Sequence, residues 1–431
     1  MLALLGIIQF LLIAFICLFE FKNKSASVFL WATLLLIFGI MHMLTSFSGD
    51  YLYNNSVLIE VSVFAIVFCL IYLLFRTIVG NKVILKNRQL FNYDSLKETI
   101  VEHSKLEKIL LLMLVAVLLL KIIPYIRYTG GFMNTSWSSG RDYTATLSYA
   151  NSLQVYNIIF YSLSGLSILF YISGKKKYFS ATIIILLLNV LLSRNRIEVL
   201  PLICSVIAIP LLKTKKIRFK TIIVGVLFAV LTLYVVYGIR VYRHYGTISN
   251  FINEFNIVEF TDKIYTHIRT GNGELGLIRD FYYFVNNNNE FEGFGSAATY
   301  LRMLLVYIPT RFSFGLKPPD FAITMGQAIG MLEGGSTHPT LLGDCYANFG
   351  IFGMFMGAFW AIYVTIIDKI IIKCKSNFSK ILLFNLNSVV YCIMGRGSVY
   401  NGFWFVAYGM PLILIVYYFI KSHDKKKSYD T

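Results

Sequence analysis

Charge is what this sequence has least of. Only 14% of its 431 residues are Asp, Glu, Lys or Arg, against 57% that are hydrophobic. A soluble domain needs a polar exterior, and this composition does not supply one. Cysteine is sparse too. The six thiols, Cys17, Cys69, Cys204, Cys345, Cys374 and Cys392, fall almost all in or beside apolar runs, with no paired spacing. That argues against a disulfide or zinc framework and leaves them as small apolar packers. The alternating pattern of a β-barrel is missing as well, which leaves helices as the way to satisfy backbone groups in lipid.

What is there is a series of apolar runs long enough to cross a ~30 Å hydrocarbon core. They cover 2–21, 28–47, 57–79, 108–127, 155–172, 178–192, 197–212, 217–239, 350–372, 380–395 and 403–420. The pattern predicts an all-α polytopic membrane protein of about eleven transmembrane helices. It reads as a single integral membrane domain over 1–431, with one large extracytoplasmic loop, 240–349, between the eighth and ninth spans. The first run has no basic leader and no small-residue cleavage site, so it is expected to stay as a helix.

Orientation follows from where the basic residues sit. Lysine-rich connections occur at Lys22 and Lys24, at 82–108, at "GKKK" (174–177), at "KTKKIRFK" (213–220), at "KCKSNFSK" (373–380) and at "KSHDKKK" (421–427). With eleven spans all six fall on one side, the cytoplasmic side, which puts the N-terminus outside and the C-terminus inside. The inner face then holds 22 Lys and 3 Arg against 8 acids, and the outer face 11 Arg and 3 Lys against 14 acids. The formal charge of +17 is thus an orientation signal, aided by anionic headgroups, and calls for no nucleic acid as partner.

Lysine dominates inside and arginine outside. Charge alone suffices for the first; the second points to geometry, since a guanidinium offers a planar fork to phosphate or carboxylate. The turn "LLSRNRIEVLP" (191–201) sets Arg194, Arg196 and Glu198 between two spans of about 15 residues, short of the ~20 needed to cross. Pro201 and Pro210 interrupt the second. The turn is therefore expected below the outer surface, where an uncompensated charge costs a few kcal/mol unless it faces a polar cavity or a partner. Glu198 can neutralise one guanidinium. The other wants an anion, unless it snorkels to the headgroups.

"YGIRVYRHYG" (237–246) adds Arg240, Arg243 and His244, the two arginines three apart on one helical face. "MGRGSVYNG" (394–402) adds Arg396. In the long loop, 248–268 reads as an interfacial helix and 297–309 as an apolar stretch too short to span. Glu290 and Glu292 offer two acids to a divalent cation, or a merely solvated turn; no D-x-D occurs in the chain. "HPTLLGDCYANFGIFG" (338–353) brings His338 and Asp344 to the start of the ninth span, together with Glu333 upstream.

These features, and in particular "SRNRIEVLP", "IPTRFSFGLKPPDF" and "GGSTHPTLLGDCYANFGIFG", resemble the O-antigen (Wzy-type) polymerases of bacterial surface polysaccharide synthesis over most of the chain. The resemblance implies a GT-C-like helical frame in the bacterial cytoplasmic membrane and a glycosyltransferase that needs no metal or other cofactor. A growing glycan on undecaprenyl diphosphate would pass to the non-reducing hydroxyl of a second lipid-linked repeat, outside the membrane. The partners implied are that undecaprenyl-diphosphate-linked oligosaccharide and the membrane lipids, with a chain-length regulator left open. On this reading Arg194, Arg196, Arg240, Arg243 and Arg396 hold the diphosphates. His338 or Asp344 is the base, and Glu198 orients an arginine. A ligase of finished polymer shares most of these features. A flippase would show internal repeats and charges at mid-membrane.

Overall fold

The structure, a computed structural model, describes residues 1–80, 104–139, 142, 149–214, 219–270, 273–288, 290, 295–330, 337, 339–374 and 376–427. Among these residues there is no strand, only an isolated antiparallel bridge between Ser136 and Thr247. The helices run α1 (Leu2–Asn23), α2 (Val28–Ser48), α3 (Asn55–Gly80), α4 (Ser104–Tyr128), α5 (Leu153–Ile172) and α6 (Lys176–Ser193). After them come α7 (Leu200–Lys213), α8 (Phe219–His244), α9 (Ile248–Glu254) and α10 (Ile257–Arg269). The chain continues through α11 (Ile278–Asn286), α12 (Ala298–Leu304), α13 (Phe321–Ala328), α14 (Thr340–Lys373), α15 (Asn377–Arg396) and α16 (Val399–Lys427).

Ten of these helices among the described residues are long and apolar enough to cross a membrane. The protein is an all-α, multi-pass membrane protein. The exception is α7, where an eleventh span was expected. Its 14 residues reach about 21 Å at 1.5 Å per residue, short of the hydrocarbon core. The sequence shortens it from its N-terminal end. Asn195 accepts a hydrogen bond from the Ile197 N–H at 3.3 Å, starting a 3-10 turn over Arg196–Val199, and Pro201 then sits in the first turn of α7. The expected interfacial helix over 248–268 is two helices, because the Asn256 side chain accepts from the Val258 N–H at 2.9 Å and starts α10 afresh. In α8, Val226, Leu227, Val230 and Leu231 are more than half exposed, as befits a helix that faces lipid.

The chain falls into two compact units. Unit 1 comprises 1–90, 271–373 and 390–407; unit 2 comprises 91–270, 374–389 and 408–431. The long loop is thus divided, its first part in unit 2 and the remainder in unit 1.

In unit 1, α3 packs closely on α14. A Cβ at Gly357 would overlap the Phe68 carbonyl oxygen and meet the Tyr72 nitrogen at 3.1 Å, so the two backbones touch where only glycine fits. Gly357→Val is therefore expected to destabilise unit 1 by about 1–3 kcal/mol, as overpacking does; a lowered thermal midpoint in detergent checks it. Along α2, residues Leu35–Ile40 form a π-helical turn, a single widened loop of backbone that changes which residues face inward. Beyond it His42 is fully buried, with Nδ1 2.7 Å from the Tyr282 hydroxyl and Nε2 2.6 Å from Ser62 Oγ.

In unit 2 the interior is tied by polar side chains as much as by packing. Lys121, inside the apolar run of α4, places Nζ 2.9 Å from Asn157 Oδ1, 3.0 Å from Asn189 Oδ1 and 3.0 Å from Glu198 Oε1. Asn189 Nδ2 donates to Glu198 Oε2 at 2.8 Å. One ammonium thus joins α4, α5, α6 and the 3-10 turn, with the charge balanced by Glu198.

Candidate functional site

The arginine turn is built from the end of α6. Ser193 is its last helical residue, and Arg194 follows in the left-handed region, φ 48° and ψ 20°, with its N–H donating to Val190 O at 3.0 Å. A non-glycine residue there costs about 1–2 kcal/mol, and the turn holds it by what lies around it. The Arg194 side chain is 1% exposed. Its Nη1 donates to the Gly246 carbonyl, and its guanidinium carbon lies 4.3 Å from the centre of the Tyr242 ring. Neither Nε nor Nη2 of Arg194 has a hydrogen-bond partner. This is a buried cation held by a carbonyl and a π face, with two donors aimed at nothing the described residues provide.

Arg243 braces the same turn. Its Nε donates to the Arg194 carbonyl at 2.6 Å, and its guanidinium stacks 4.7 Å from the centre of the Trp137 ring. Trp137 belongs to the segment before α5, held by the Tyr125 hydroxyl donating to Ser136 O and by Ser136 and Ser139 hydroxyls 2.8 Å apart. The Ser136–Thr247 bridge ties this segment to the chain just past α8. One turn back along α8, Arg240 acts on His267 of α10, whose ring stacks on His244 with centroids 5.9 Å apart. Burial, first, and then the charge of Arg240 and the His244 ring lower the His267 pKa below its usual 6.5. Arg196 opens the 3-10 turn, half-buried. Arg194, Arg196, Arg240 and Arg243 therefore all belong to unit 2, on the two short segments 194–199 and 240–246.

No protein-family model, curated protein or solved structure matches this chain. The arrangement of its own side chains is thus what bears on function.

Three residues expected at a site are committed elsewhere. Glu198 does not orient an arginine: it is 3% exposed and pairs with Lys121 and Asn189. The sequence placed Lys121 in an apolar span, out of view as a partner. Arg396 does not offer a free fork, because its Nε and Nη2 grip both carboxylate oxygens of Glu274, the latter at 3.0 Å. Asp344 is fully buried. Its Oδ1 accepts from Asn348 Nδ2 at 2.7 Å and its Oδ2 accepts from the Val399 N–H at 3.0 Å. Val399 is the first residue of α16, so the carboxylate caps that helix instead of waiting for a hydroxyl. Asp344→Ala is expected to cost about 1–3 kcal/mol through the lost cap and the buried N–H left open, read as a lower thermal midpoint with activity per folded molecule retained. Arg396, Glu274 and Asp344 all lie in unit 1. His338, Glu292 and Glu333 lie outside the described residues.

The structure adds residues that the sequence reading missed. Tyr242 and the Gly246 carbonyl cage Arg194, Trp137 carries Arg243, and His267 stands beside His244. Tyr242 lies in "RVYRHYG", and its place two residues from Arg240 and one from Arg243 was the available signal. Nothing in the sequence marked His267.

Proposed function

We propose that the protein is a glycosyltransferase of bacterial surface polysaccharide synthesis. It polymerises lipid-linked repeat units at the outer side of the cytoplasmic membrane, with the 194–199 turn facing away from the cytosol. The donor is a glycan on undecaprenyl diphosphate. The bond between the anomeric carbon and the diphosphate oxygen breaks, a bond to the acceptor oxygen forms as its hydroxyl proton passes to a base, the role proposed for His338, and the lipid diphosphate leaves with the electron pair. The leaving group gathers negative charge, which preorganised guanidinium groups in a site poor in water can stabilise.

The observation that carries this reading is Arg194: a guanidinium 1% exposed, fixed on one nitrogen, with Nε and Nη2 unmatched. A protein that wanted only a helix cap there would use glycine or asparagine. Arg243 holds the carbonyl of that residue in place, so the two arginines position one another. Arg196 and Arg240 add positive charge on the same two segments of unit 2.

The test is reconstitution. Purified protein given a lipid-linked repeat unit without added divalent metal is expected to produce a ladder of products on a gel. Transfer of finished polymer only to a different acceptor would point to a ligase. Movement of intact lipid-linked oligosaccharide across vesicles, with no new glycosidic bond, would point to a flippase.

A further inference from the structure

Unit 1 buries an ion cluster that the proposed chemistry does not use. Arg76 of α3 lies between Glu20 of α1 and Asp368 of α14, all three with fully buried side chains. Arg76 Nε donates to Glu20 Oε1 at 2.8 Å and Nη2 to Glu20 Oε2 at 2.9 Å; the same Nη2 donates to Asp368 Oδ2. Nη1 reaches Thr365 Oγ1 at 2.8 Å, and the Tyr72 hydroxyl donates to Glu20 Oε1 at 2.8 Å. The contacts thus set two carboxyl groups against one guanidinium, in helices long and apolar enough to cross a membrane.

Two like charges that share one hydrogen-bonding nitrogen repel strongly where water is excluded. Three of the other titratable groups around the carboxyls add no positive charge. Cys17 on α1 and Tyr72 on α3 act on Glu20, and Tyr391 on α15 acts on Asp368; each becomes negative if it ionises. Lys24 closes α1 one turn beyond Glu20. The Tyr391 hydroxyl is buried, lies in the field of Asp368, Arg76 and Tyr72, and has no hydrogen-bond partner.

Asp368 Oδ1 has what a proton needs. Ser25 Oγ is 2.9 Å from it, and Ser25 Oγ lies 2.8 Å from Ser27 Oγ in a pair where either can donate. With a proton on Oδ1, Asp368 donates to Ser25, and Ser25 turns its own hydrogen to Ser27. The chain of three groups stays fully bonded in either direction.

We propose that the Glu20–Arg76–Asp368 cluster is a proton-binding site inside the membrane-spanning part of unit 1, with the proton carried on Asp368 and relayed through Ser25 and Ser27. The test is infrared spectroscopy of the purified full-length protein at neutral pH, in the carbonyl-stretch region of protonated carboxyl groups. A band is expected that is lost in Asp368→Asn and shifted in Ser25→Ala, which removes the hydroxyl on Oδ1. Asp344→Asn, at the other buried acid described above, should leave that band unchanged. Ser25→Ala keeps the test open should Asp368→Asn not fold. Absence of the band in the wild type overturns the proposal, as does a band lost only in Asp344→Asn or only in Glu20→Gln. Thermal stability that rises with sodium concentration, with no carboxylic band, overturns it in favour of a metal cation.

Discussion

Replacing Arg194 by Lys is expected to lower the rate of chain extension about 100-fold, the usual effect of removing one preorganised donor from a developing anion. The variant keeps the charge. What it loses is the fork: the guanidinium that rests 4.3 Å from the Tyr242 ring centre, bonds Gly246 O and leaves Nε and Nη2 for a ligand. An ammonium on a flexible stem cannot donate along two parallel lines. On a gel the polymer should collapse to single repeats while the amount of protein in the membrane holds. Arg194→Gly relieves the left-handed backbone at φ 48° while losing the bond to Gly246 O, and a variant that folds yet is equally inactive separates a role in chemistry from one in folding. Normal ladders from Arg194→Lys would remove this residue from the reaction.

The largest expected effect on stability is at Lys121. Lys121→Met leaves Glu198 buried, with Asn189 as its remaining hydrogen-bond partner described above, and breaking a buried pair from one side costs about 3–5 kcal/mol. Because the 3-10 turn Arg196–Val199 hangs on that carboxylate, the arginine turn should loosen with it. A fall in thermal midpoint accompanied by lost activity is the expected result. Lys121→Met with Glu198→Met should recover much of the stability, since two apolar side chains can replace a buried pair. If the single variant melts like the wild type, the pair does not hold the turn.

Ten of the eleven expected spans have a counterpart among the helices long and apolar enough to cross, because composition over twenty residues decides that question locally. The exception, α7, was already short in sequence, and a capping Asn195 and Pro201 shorten it further. The arginine turn was legible for a similar reason, as charges set between two apolar runs stand out without any knowledge of neighbours. Partners are a different matter. Arg396 meets Glu274 across 122 positions, and Lys121 meets Glu198 across 77. No periodicity connects residues so far apart, and the acids nearest in sequence were the wrong guide. Asp344 illustrates the same limit. A carboxylate near a helix start can face solvent as a base or turn inward as a cap, and only its contact with Val399, 55 residues on, decides between them.

The widened turn at Leu35–Ile40 makes α2 a helix with two alignments in it. An inserted residue advances everything after it by about 100° around the axis, as 3.6 residues per turn requires. Because the widened turn absorbs that extra residue, removing one residue from the stretch would close the helix into a regular spiral and leave the half beyond it in register. A residue added between the turn and His42 would instead carry the ring about 100° away from the Tyr282 hydroxyl and Ser62, so the turn is the place where this helix tolerates a change in length without disturbing its buried imidazole.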